Sequence, residues 1–534
     1  MVGRWERICG GVLLGALAAC GSEAAEAHAP QAARASEASQ RPSNVVLIVL
    51  DDVSPGLIGA YDELFRKLGR PSQVPAQTPA IDTLLAARGL TFTRAWASPK
   101  CTPTRAQILT GRNGFHTGVG QILMSTGEAG SPGLDPKAEL LPERLRKAPT
   151  PYHSAAVGKW HLSSAAELEL NPVAPLGTPP GRWFDRYAGS LFNLGEEREK
   201  QADDAGYWVW RKFHAGGLAS GAELENGPKV PHFSEERATT IHGYPSVDTT
   251  DDALALAGSL PEPWFLYVAY NAIHEPLHHV TLALPQPKDE RLRAKATCDH
   301  SEDSDAAMAR CMLAALDSQI GRLVEALDES DTTVILVGDN GMAQRVFLPP
   351  YPRHHGKGSM YDGGIEVPLI VRSPTLKPEL RGTSTAAPAH AMDLFATVAE
   401  LAGAPTGAVD AVSLAPLLTG ALANVRSELY SERFQPNFVP TASGGVPEGT
   451  DIRWHDQALF DGRFKLVRES KRTDDGKVEV LESLYDLARD VAEPDWIERR
   501  NLLHPDSGPL PTAASEALAR LRARLDAAFP SLVR

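Results

Sequence analysis

Four apolar runs in this sequence stop abruptly at polar residues, and this pattern constrains the fold more than any other feature. The runs cover residues 44–50, 154–157, 264–270 and 332–337. Continuous apolar runs between helical patterns are typical of strands that are buried on both faces of a mainly parallel sheet. The sequence therefore predicts an α/β protein with helices on both sides of its main sheet.

The residues that follow these runs have side chains capable of chemistry. They are Asp51 and Asp52 after the first run, Lys159 and His161 after the second, Asn271 and His274 after the third, and Asp339 and Asn340 after the fourth. In open α/β sheets, ligands bind beyond the carboxyl ends of the strands. We therefore predict that the functional site lies at this edge of the sheet.

Four of these residues, Asp51, Asp52, Asp339 and Asn340, offer only hard oxygen ligands. Such a set suits calcium or magnesium and disfavours zinc or copper. The flexible geometry of carboxylates favours calcium, with magnesium as the alternative. Taken singly, the Asp-Asp pair also fits a strand-end turn, and Asp-Asn-Gly is a turn signal. Taken together, they predict a site for one divalent cation.

The stretch Cys101-Thr102-Pro103-Thr104-Arg105 leads into a helical segment that ends in Thr-Gly-Arg at 110–112. Proline is tolerated in the first turn of a helix, so residue 101 is expected at or just before a helix N-terminus. Free N–H groups and the helix dipole favour an anion there, and Arg105 adds a planar guanidinium one turn later. This indicates a reactive residue that faces an anionic substrate. The alternative is a buried structural cysteine before an ordinary helix.

This stretch resembles the signature of type I sulfatases, which belong to the alkaline phosphatase superfamily. In that family the cysteine is oxidised to formylglycine by a formylglycine-generating enzyme. The resemblance implies that residue 101 works as a hydrated aldehyde and not as a thiol. It also implies that Cys101, Asp51, Asp52, Asp339 and Asn340 surround one divalent cation.

Other segments resemble the same family, from about residue 44 to the end of the chain. Gly158-Lys159-Trp160-His161-Leu162 is similar to the second sulfatase signature, with Ser163 where a glycine is common. His274, in His-Glu-Pro, matches the histidine that protonates the leaving group. Lys357, in a glycine-rich loop, matches the second substrate-binding lysine. The resemblance implies that Lys159, Lys357 and Arg105 neutralise the sulfate oxygens, and that His161 contacts the second hydroxyl of the aldehyde hydrate.

The length of 534 residues exceeds that of one ordinary hydrophobic core, so we expect more than one domain. Residues 1–19 are predicted to be a signal peptide and residues 20–43 a flexible tether. Residues 44–420 are predicted to form an alkaline-phosphatase-like catalytic domain. Residues 421–534 are predicted to form a smaller subdomain, in which a terminal helix over residues 514–529 packs on an antiparallel sheet.

The N-terminus has the pattern of an exported protein. Arg4 and Arg7 precede an apolar run over residues 8–19, which is shorter than the ~20 residues that span a bilayer. The run ends in Leu-Ala-Ala-Cys at 17–20, which resembles a bacterial lipobox. A plain secretory signal is the alternative. We expect a location in the periplasm or on the outer cell surface, with a lipid on Cys20 as the only link to a membrane.

Net charge restricts the binding partners of the protein, and its cysteine content bears on disulfide formation. The net charge of −14 argues against a nucleic-acid partner or an anionic-membrane surface. An anion-binding site must therefore be a local cationic pocket. Outside the cytoplasm, Cys298 and Cys311 can form a disulfide. The alternative is that Cys311 is a core residue and Cys298 is a loop thiol.

The expected reaction is hydrolysis of a sulfate ester to an alcohol or phenol and inorganic sulfate, with a sulfated small molecule or carbohydrate as the substrate. Two alternatives stay open at this point. One is a formylglycine-dependent phosphodiesterase or phosphonate monoester hydrolase, and the other is a non-catalytic lipoprotein that binds sulfate esters with an unmodified Cys101. The loops over residues 170–250 and 434–454 are expected to select the substrate. Their tryptophans either stack on a ring or pack in the protein; they are Trp183, Trp208, Trp210 and Trp454.

Overall fold

The computed structural model describes residues 43–70, 72–123, 132–163, 183–195, 206–216, 238–280, 284–293, 302–349, 351–442, 444–488, 498 and 500–533. The predicted signal peptide, nearly all of the tether, and Cys20 lie outside the described residues, so the predicted lipid anchor and location stay predictions. Among the residues that are described, no helix is long and apolar enough to cross a membrane.

The described strands form three sheets. In chain order they are β1 (Asn44–Leu50), β2 (Leu90–Phe92), β3 (Ala95–Trp96), β4 (His153–Gly158), β5 (Arg186–Gly189), β6 (Val209–Gly216), β7 (Ala238–His242), β8 (Trp264–Ala269), β9 (Thr332–Gly338), β10 (Leu369–Arg372), β11 (Thr383–Thr385), β12 (Ala389–His390), β13 (Leu429–Gln435), β14 (Trp454–Phe460), β15 (Phe464–Arg472) and β16 (Val478–Asp486). Strands β3 and β12 pair as a separate two-stranded sheet.

The largest sheet has ten strands in the order β11-β2-β10-β9-β1-β8-β4-β5-β6-β7. Its centre is parallel, because β1 pairs in parallel with β8 and β9, and β4 pairs in parallel with β8 and β5. Leu50 lies opposite Gly338, and Gly158 lies opposite Ala269. The carboxyl ends of these strands therefore meet at one edge, and the predicted mainly parallel sheet is confirmed.

Helices cover both faces of this sheet. They are α1 (Gly59–Lys67), the π-helix Ile81–Ala86, α2 (Cys101–Thr110), α3 (Gly114–Thr117), α4 (Leu141–Leu145), α5 (Pro245–Ala257), α6 (Asp305–Glu325), α7 (Asp362–Ile365), α8 (Asp393–Leu401), α9 (Ala415–Leu418) and α10 (Thr512–Ala528). Short 3-10 turns lie at Pro55–Leu57, Glu290–Leu292, Gln344–Val346, Arg353–His355, Pro378–Leu380 and Pro505–Ser507.

The two faces of the sheet build two separate cores. Val46 and Ile48 of β1 belong to the core that also contains side chains of α1, α5 and α6. Val45 and Leu47 belong to the other core, together with side chains of α2 and α8. Side chains alternate between the faces of a strand, so a strand that is apolar at every position fills both cores.

The C-terminal segment forms the predicted antiparallel sheet and terminal helix. Strands β13 to β16 pair in sequence order, and each pair is antiparallel. Leu518 and Leu525 of α10 pack against Leu466 and Leu484 of this sheet, which is the amphipathic packing that the sequence predicts. Residues 42–534 form one compact unit, and the boundary at residue 420 stays a prediction.

Cys311 lies on α6 and takes part in a disulfide bond. Its predicted partner, Cys298, lies outside the described residues. The observation therefore favours the disulfide over a free core thiol at position 311, while the identity of its partner stays a prediction.

Candidate active site

Residue 101 lies where the sequence places it, at the first position of a helix. Helix α2 begins at Cys101 after an extended Lys100 and ends at Gly111, whose φ of 67° stops the helix. Cys101 is fully buried and is a free thiol. The first helical turn, whose N–H groups a helix leaves mostly without intrahelical partners, therefore begins at a buried free thiol.

His161 is oriented so that it can accept a proton from residue 101. Its Nε2 lies 2.6 Å from the carbonyl oxygen of Leu123, and its Nδ1 lies 3.3 Å from Cys101 Sγ. A carbonyl oxygen only accepts, so we assign the ring proton to Nε2. Nδ1 is then an acceptor that faces the residue at position 101.

One buried lysine and one partly buried lysine bind the two carboxylates that follow β1. Lys159 Nζ lies 2.5 Å from Asp51 Oδ2, and Lys357 Nζ lies 2.5 Å from Asp52 Oδ1. Burial alone would raise the pKa of Asp51, but the charges of Lys159, Arg105 and Lys357 help to outweigh it and hold that pKa well below its usual range. Lys159 therefore stays close to an ionised carboxylate.

Arg105 links the third carboxylate, that of Asp339, to helix α2. Its Nε and Nη2 donate to Asp339 Oδ2 at 3.0 and 2.8 Å, and its Nη1 donates to the carbonyl oxygen of Lys159 at 2.9 Å. Burial and the charge of Asp51 raise the pKa of Asp339, and Arg105 opposes that rise. In this arrangement the guanidinium positions protein groups, and its predicted contact with the substrate stays a prediction.

Two buried oxygens of the predicted metal site receive no hydrogen bond from the described residues, namely Asp51 Oδ1 and Asn340 Oδ1. The amide of Asn340 is fixed, because its Nδ2 donates to Asp52 Oδ1 at 2.7 Å and to the carbonyl oxygen of Gly341 at 2.8 Å. Buried acceptors without donors are strongly disfavoured. A divalent cation would satisfy them, so the residues present fit the predicted metal.

His274 lies beside the same carboxylates. Ligand atoms of Asp51, Asp52 and His274 all lie within 4.8 Å of one another. His274 Nδ1 donates to the carbonyl oxygen of Glu275 at 2.9 Å. Burial, followed by the charges of Lys357 and Lys159, lowers the pKa of His274 to about 3. The imidazole is therefore neutral at pH 7, and a bound anion would raise its pKa.

Two predicted site residues adopt backbone angles that side chains normally avoid. Asp52 has a φ of 61° and His161 a φ of 58°. Such strain costs of order 1–3 kcal/mol per residue, and it concentrates at functional sites. Asp52 lies shortly after the end of β1 and His161 shortly after the end of β4, where the chain must turn to direct a side chain into the site.

Three residues that act on this site were not predicted from the sequence: Leu123, Lys100 and Arg433. Leu123 supplies the carbonyl that orients His161. Burial, followed by the charge of Lys357, lowers the pKa of Lys100, and Arg433 acts on it in the same direction. The position of Lys100 next to Cys101 is a signal that could have been noticed. Nothing local in the sequence indicates Leu123 or Arg433, because only the fold brings them to the site.

The tryptophans that were considered for substrate stacking differ in exposure. Trp183 and Trp210 are 0% and 2% exposed, so they pack in the protein. Trp208 is 42% exposed. Trp454 is half-buried, and its ring lies 5.0 Å from the Arg433 guanidinium carbon.

The family pattern described as Sulfatase matches residues 43–404. Because this match covers more than half of the chain, the chain belongs to the sulfatase family. It is a sulfatase-family enzyme, a class of hydrolase that acts on sulfate esters.

Curated proteins that are similar in sequence are also sulfatases. Arylsulfatase A of Homo sapiens is 29% identical over 522 residues, which cover 91% of this chain and 89% of that protein. N-acetylgalactosamine-6-sulfatase of Homo sapiens is 28% identical over 398 residues, covering 71% of this chain and 66% of that protein. Arylsulfatase J of Mus musculus is 28% identical over 352 residues, or 64% of this chain, and the match spans about half of that relative, 51%.

Solved structures share the fold. The PsFucS1 sulfatase from Pseudoalteromonas sp. superposes with a TM-score of 0.58 at 18% identity, covering 95% of both chains. A protein solved in complex with its substrate D-glucosamine-2-N,6-O-disulfate superposes with a TM-score of 0.59 at 16% identity, covering 92% of this chain and 99% of that one. These similarities confirm the predicted fold class.

Proposed function

We propose that this protein hydrolyses sulfate esters through a hydrated formylglycine made from Cys101. The observation that carries the proposal is the position of Cys101. It lies buried at the start of α2, 3.3 Å from the accepting nitrogen of His161. A structural role for a buried cysteine does not require a proton acceptor at that distance or cations around it.

Two groups supply the chemistry that side chains of this site lack. The hydrated aldehyde supplies two hydroxyls, one to attack sulfur and one to expel sulfate. A divalent cation, most simply calcium, would be held by Asp51, Asp52, Asp339, Asn340 and residue 101, and would neutralise negative charge that develops on the transferring group. The two buried acceptors without donors support that ligand set.

The chain's own residues bind the sulfate and move the protons. Lys159 and Lys357 hold their ammonium groups beside the predicted metal ligands and attract the sulfate oxygens. His161 Nδ1 takes a proton from a hydroxyl at position 101. His274, neutral before the substrate binds, becomes protonated beside the bound anion and gives that proton to the departing oxygen.

Calcium is expected to stabilise the folded protein as well as to support activity. At a concentration one hundred times its Kd, it should add about 2.7 kcal/mol to the free energy of unfolding. Thermal unfolding with and without calcium, after exhaustive chelation, measures this effect. Asp51→Asn should lose the stabilisation, while Asp475→Asn, in an exposed turn, should keep it. Stoichiometric zinc in the most active preparation would contradict the assignment.

Loss of His274 is expected to lower kcat mainly for substrates with poor leaving groups. His274→Ala should lower kcat on alkyl or sugar sulfates by about 10²–10⁴-fold, the usual contribution of a general acid. It should lower kcat on 4-nitrophenyl sulfate far less, because nitrophenolate departs without a proton. Equal losses on both substrates would show that His274 binds the ester and does not protonate it. His504→Ala, a histidine with an exposed side chain, is the control.

A sulfated carbohydrate is the substrate class that the comparisons support best. One structural neighbour was solved with its substrate D-glucosamine-2-N,6-O-disulfate and another with k-i-k-neocarrahexaose. The proposed function is tested by inorganic sulfate release from sulfated sugars, steroids and aryl sulfates, with an aryl phosphodiester in parallel. Faster turnover of the phosphodiester would favour the alternative of a formylglycine-dependent phosphodiesterase.

A further inference from the structure

Lys100 is a cation beside the nucleophile that has no partner within the described part of the chain. Its half-buried side chain makes no hydrogen bond or ion pair there, although it directly precedes Cys101. Ordering and partly burying a lysine side chain is unfavourable unless something compensates for it. The position of this ammonium group is therefore consistent with binding an anionic ligand.

A second cation lies close to Lys100 and comes from the C-terminal sheet. A side chain added at Gly358 would begin 3.2 Å from Lys100 Nζ and 3.8 Å from Arg433 Nη1. The two cationic groups therefore flank the same point. Gly358 has a φ of 89° and directly follows Lys357, so this point belongs to the loop that carries the predicted substrate-binding lysine.

Arg433 is held in place on its other side. Its Nε and Nη2 lie 2.7 and 2.6 Å from Asp456 Oδ2, and its guanidinium carbon lies 5.0 Å from the centre of the Trp454 ring. Its Nη1 donates to no acceptor among the described residues. A guanidinium fixed in this way presents that free N–H in one direction.

The charge balance of the site leaves Lys100 without an ion pair among the described residues, while Arg433 is paired with Asp456. The three carboxylates after β1 and β9 are each already bound by a cation; these pairs are Asp51 with Lys159, Asp52 with Lys357, and Asp339 with Arg105. The charge of Asp52 acts on Lys100, but that carboxylate is bound by Lys357. In a chain with a net charge of −14, the local clustering of Lys100, Arg433 and Lys357 around one loop indicates an anionic ligand.

We infer that Lys100 and Arg433 bind a second oxyanion of the substrate, a sulfate or a carboxylate, next to the sulfate ester that is cleaved. The preferred substrate is then a sulfated sugar that carries another acidic group. This inference rests on the proposed function, and it names the feature by which the site selects its substrate. Neither residue takes part in the chemical step.

Competition against 4-nitrophenyl sulfate turnover tests the inference. The competitors are glucosamine 6-sulfate, glucosamine 2-N,6-O-disulfate and a monosulfated uronic acid. For the wild-type protein, at least one competitor with two acidic groups should have a Ki about tenfold lower than the monosulfate, as a charged hydrogen bond predicts. The disulfate and the uronic acid distinguish a second sulfate from a carboxylate.

Lys100→Met should erase that tenfold preference and leave kcat for 4-nitrophenyl sulfate within about twofold of wild type. Lys477→Met, a change at a side chain that is 79% exposed, should leave the preference intact. Because Lys100 adjoins the modification motif, rates are divided by the formylglycine content measured by mass spectrometry. Retained turnover of 4-nitrophenyl sulfate shows that the variant is folded.

Two results would overturn the inference. One is equal Ki values for all three competitors on the wild-type protein. The other is a loss of 4-nitrophenyl sulfate turnover in Lys100→Met, with formylglycine content unchanged, which would place Lys100 on the cleaved sulfate itself. Failure of the proposed function looks different, because the wild-type protein carrying formylglycine would then release sulfate from no ester.

Discussion

Cys101→Ser is expected to lower steady-state sulfate release by at least about 10⁴-fold, as the loss of a catalytic nucleophile does. A serine hydroxyl beside His161 can attack sulfur once, but it has no second hydroxyl to expel sulfate. The variant should therefore stop as a sulfated enzyme after one turnover. Inorganic sulfate release and intact mass, measured on the same sample, test both parts of the prediction.

Cys101→Ala is the matched control for this experiment. It keeps the buried position at the start of α2 but has no hydroxyl, so it should show neither turnover nor the added mass of a sulfate group. Turnover of Cys101→Ser at the wild-type rate would contradict the requirement for two hydroxyls.

Arg105→Met is expected to lower the free energy of unfolding by about 3–5 kcal/mol, the usual effect of removing one partner of a buried ion pair. Arg105 and Asp339 are both fully buried, and two of the arginine nitrogens donate to one carboxylate oxygen. Methionine would leave Asp339 without its cation and the carbonyl of Lys159 without a donor. Urea unfolding followed by tryptophan fluorescence measures the change.

Arg524→Met is the control for Arg105. Arg524 also binds a carboxylate, Glu428, but its side chain is 49% exposed, so its loss should cost about 0–1 kcal/mol. Equal effects of the two substitutions would contradict the positioning role. Formylglycine content is quantified separately, because by family resemblance Arg105 also belongs to the motif that the modifying enzyme reads.

The central strands of the sheet could be predicted from the sequence, because a parallel strand that is buried on both faces is a continuous apolar run. The runs at 44–50 and 332–337 correspond to β1 and β9 almost residue for residue. Neighbouring parallel strands end at the same edge, so Asp51 and Asp339 were expected close together, and the structure joins them through Arg105.

The edges of the sheet and the substrate side of the site were harder to predict. Strands β5, β6 and β7 extend the main sheet within a stretch that was interpreted only as a substrate-selecting insertion. Their side chains mix exposed and buried positions, so no continuous apolar run indicates them. The approach of Arg433 to Lys100 depends on how the C-terminal sheet packs beside the loop at Gly358, which no local pattern encodes.

The mass of the tryptic peptide that contains residue 101, measured on protein of known specific activity, tests the central claim most directly. We predict that activity rises in proportion to the fraction of peptide showing the mass loss of cysteine-to-aldehyde conversion, and that this fraction reacts with a hydrazide. Fully active protein with an unmodified thiol at Cys101 would contradict the account.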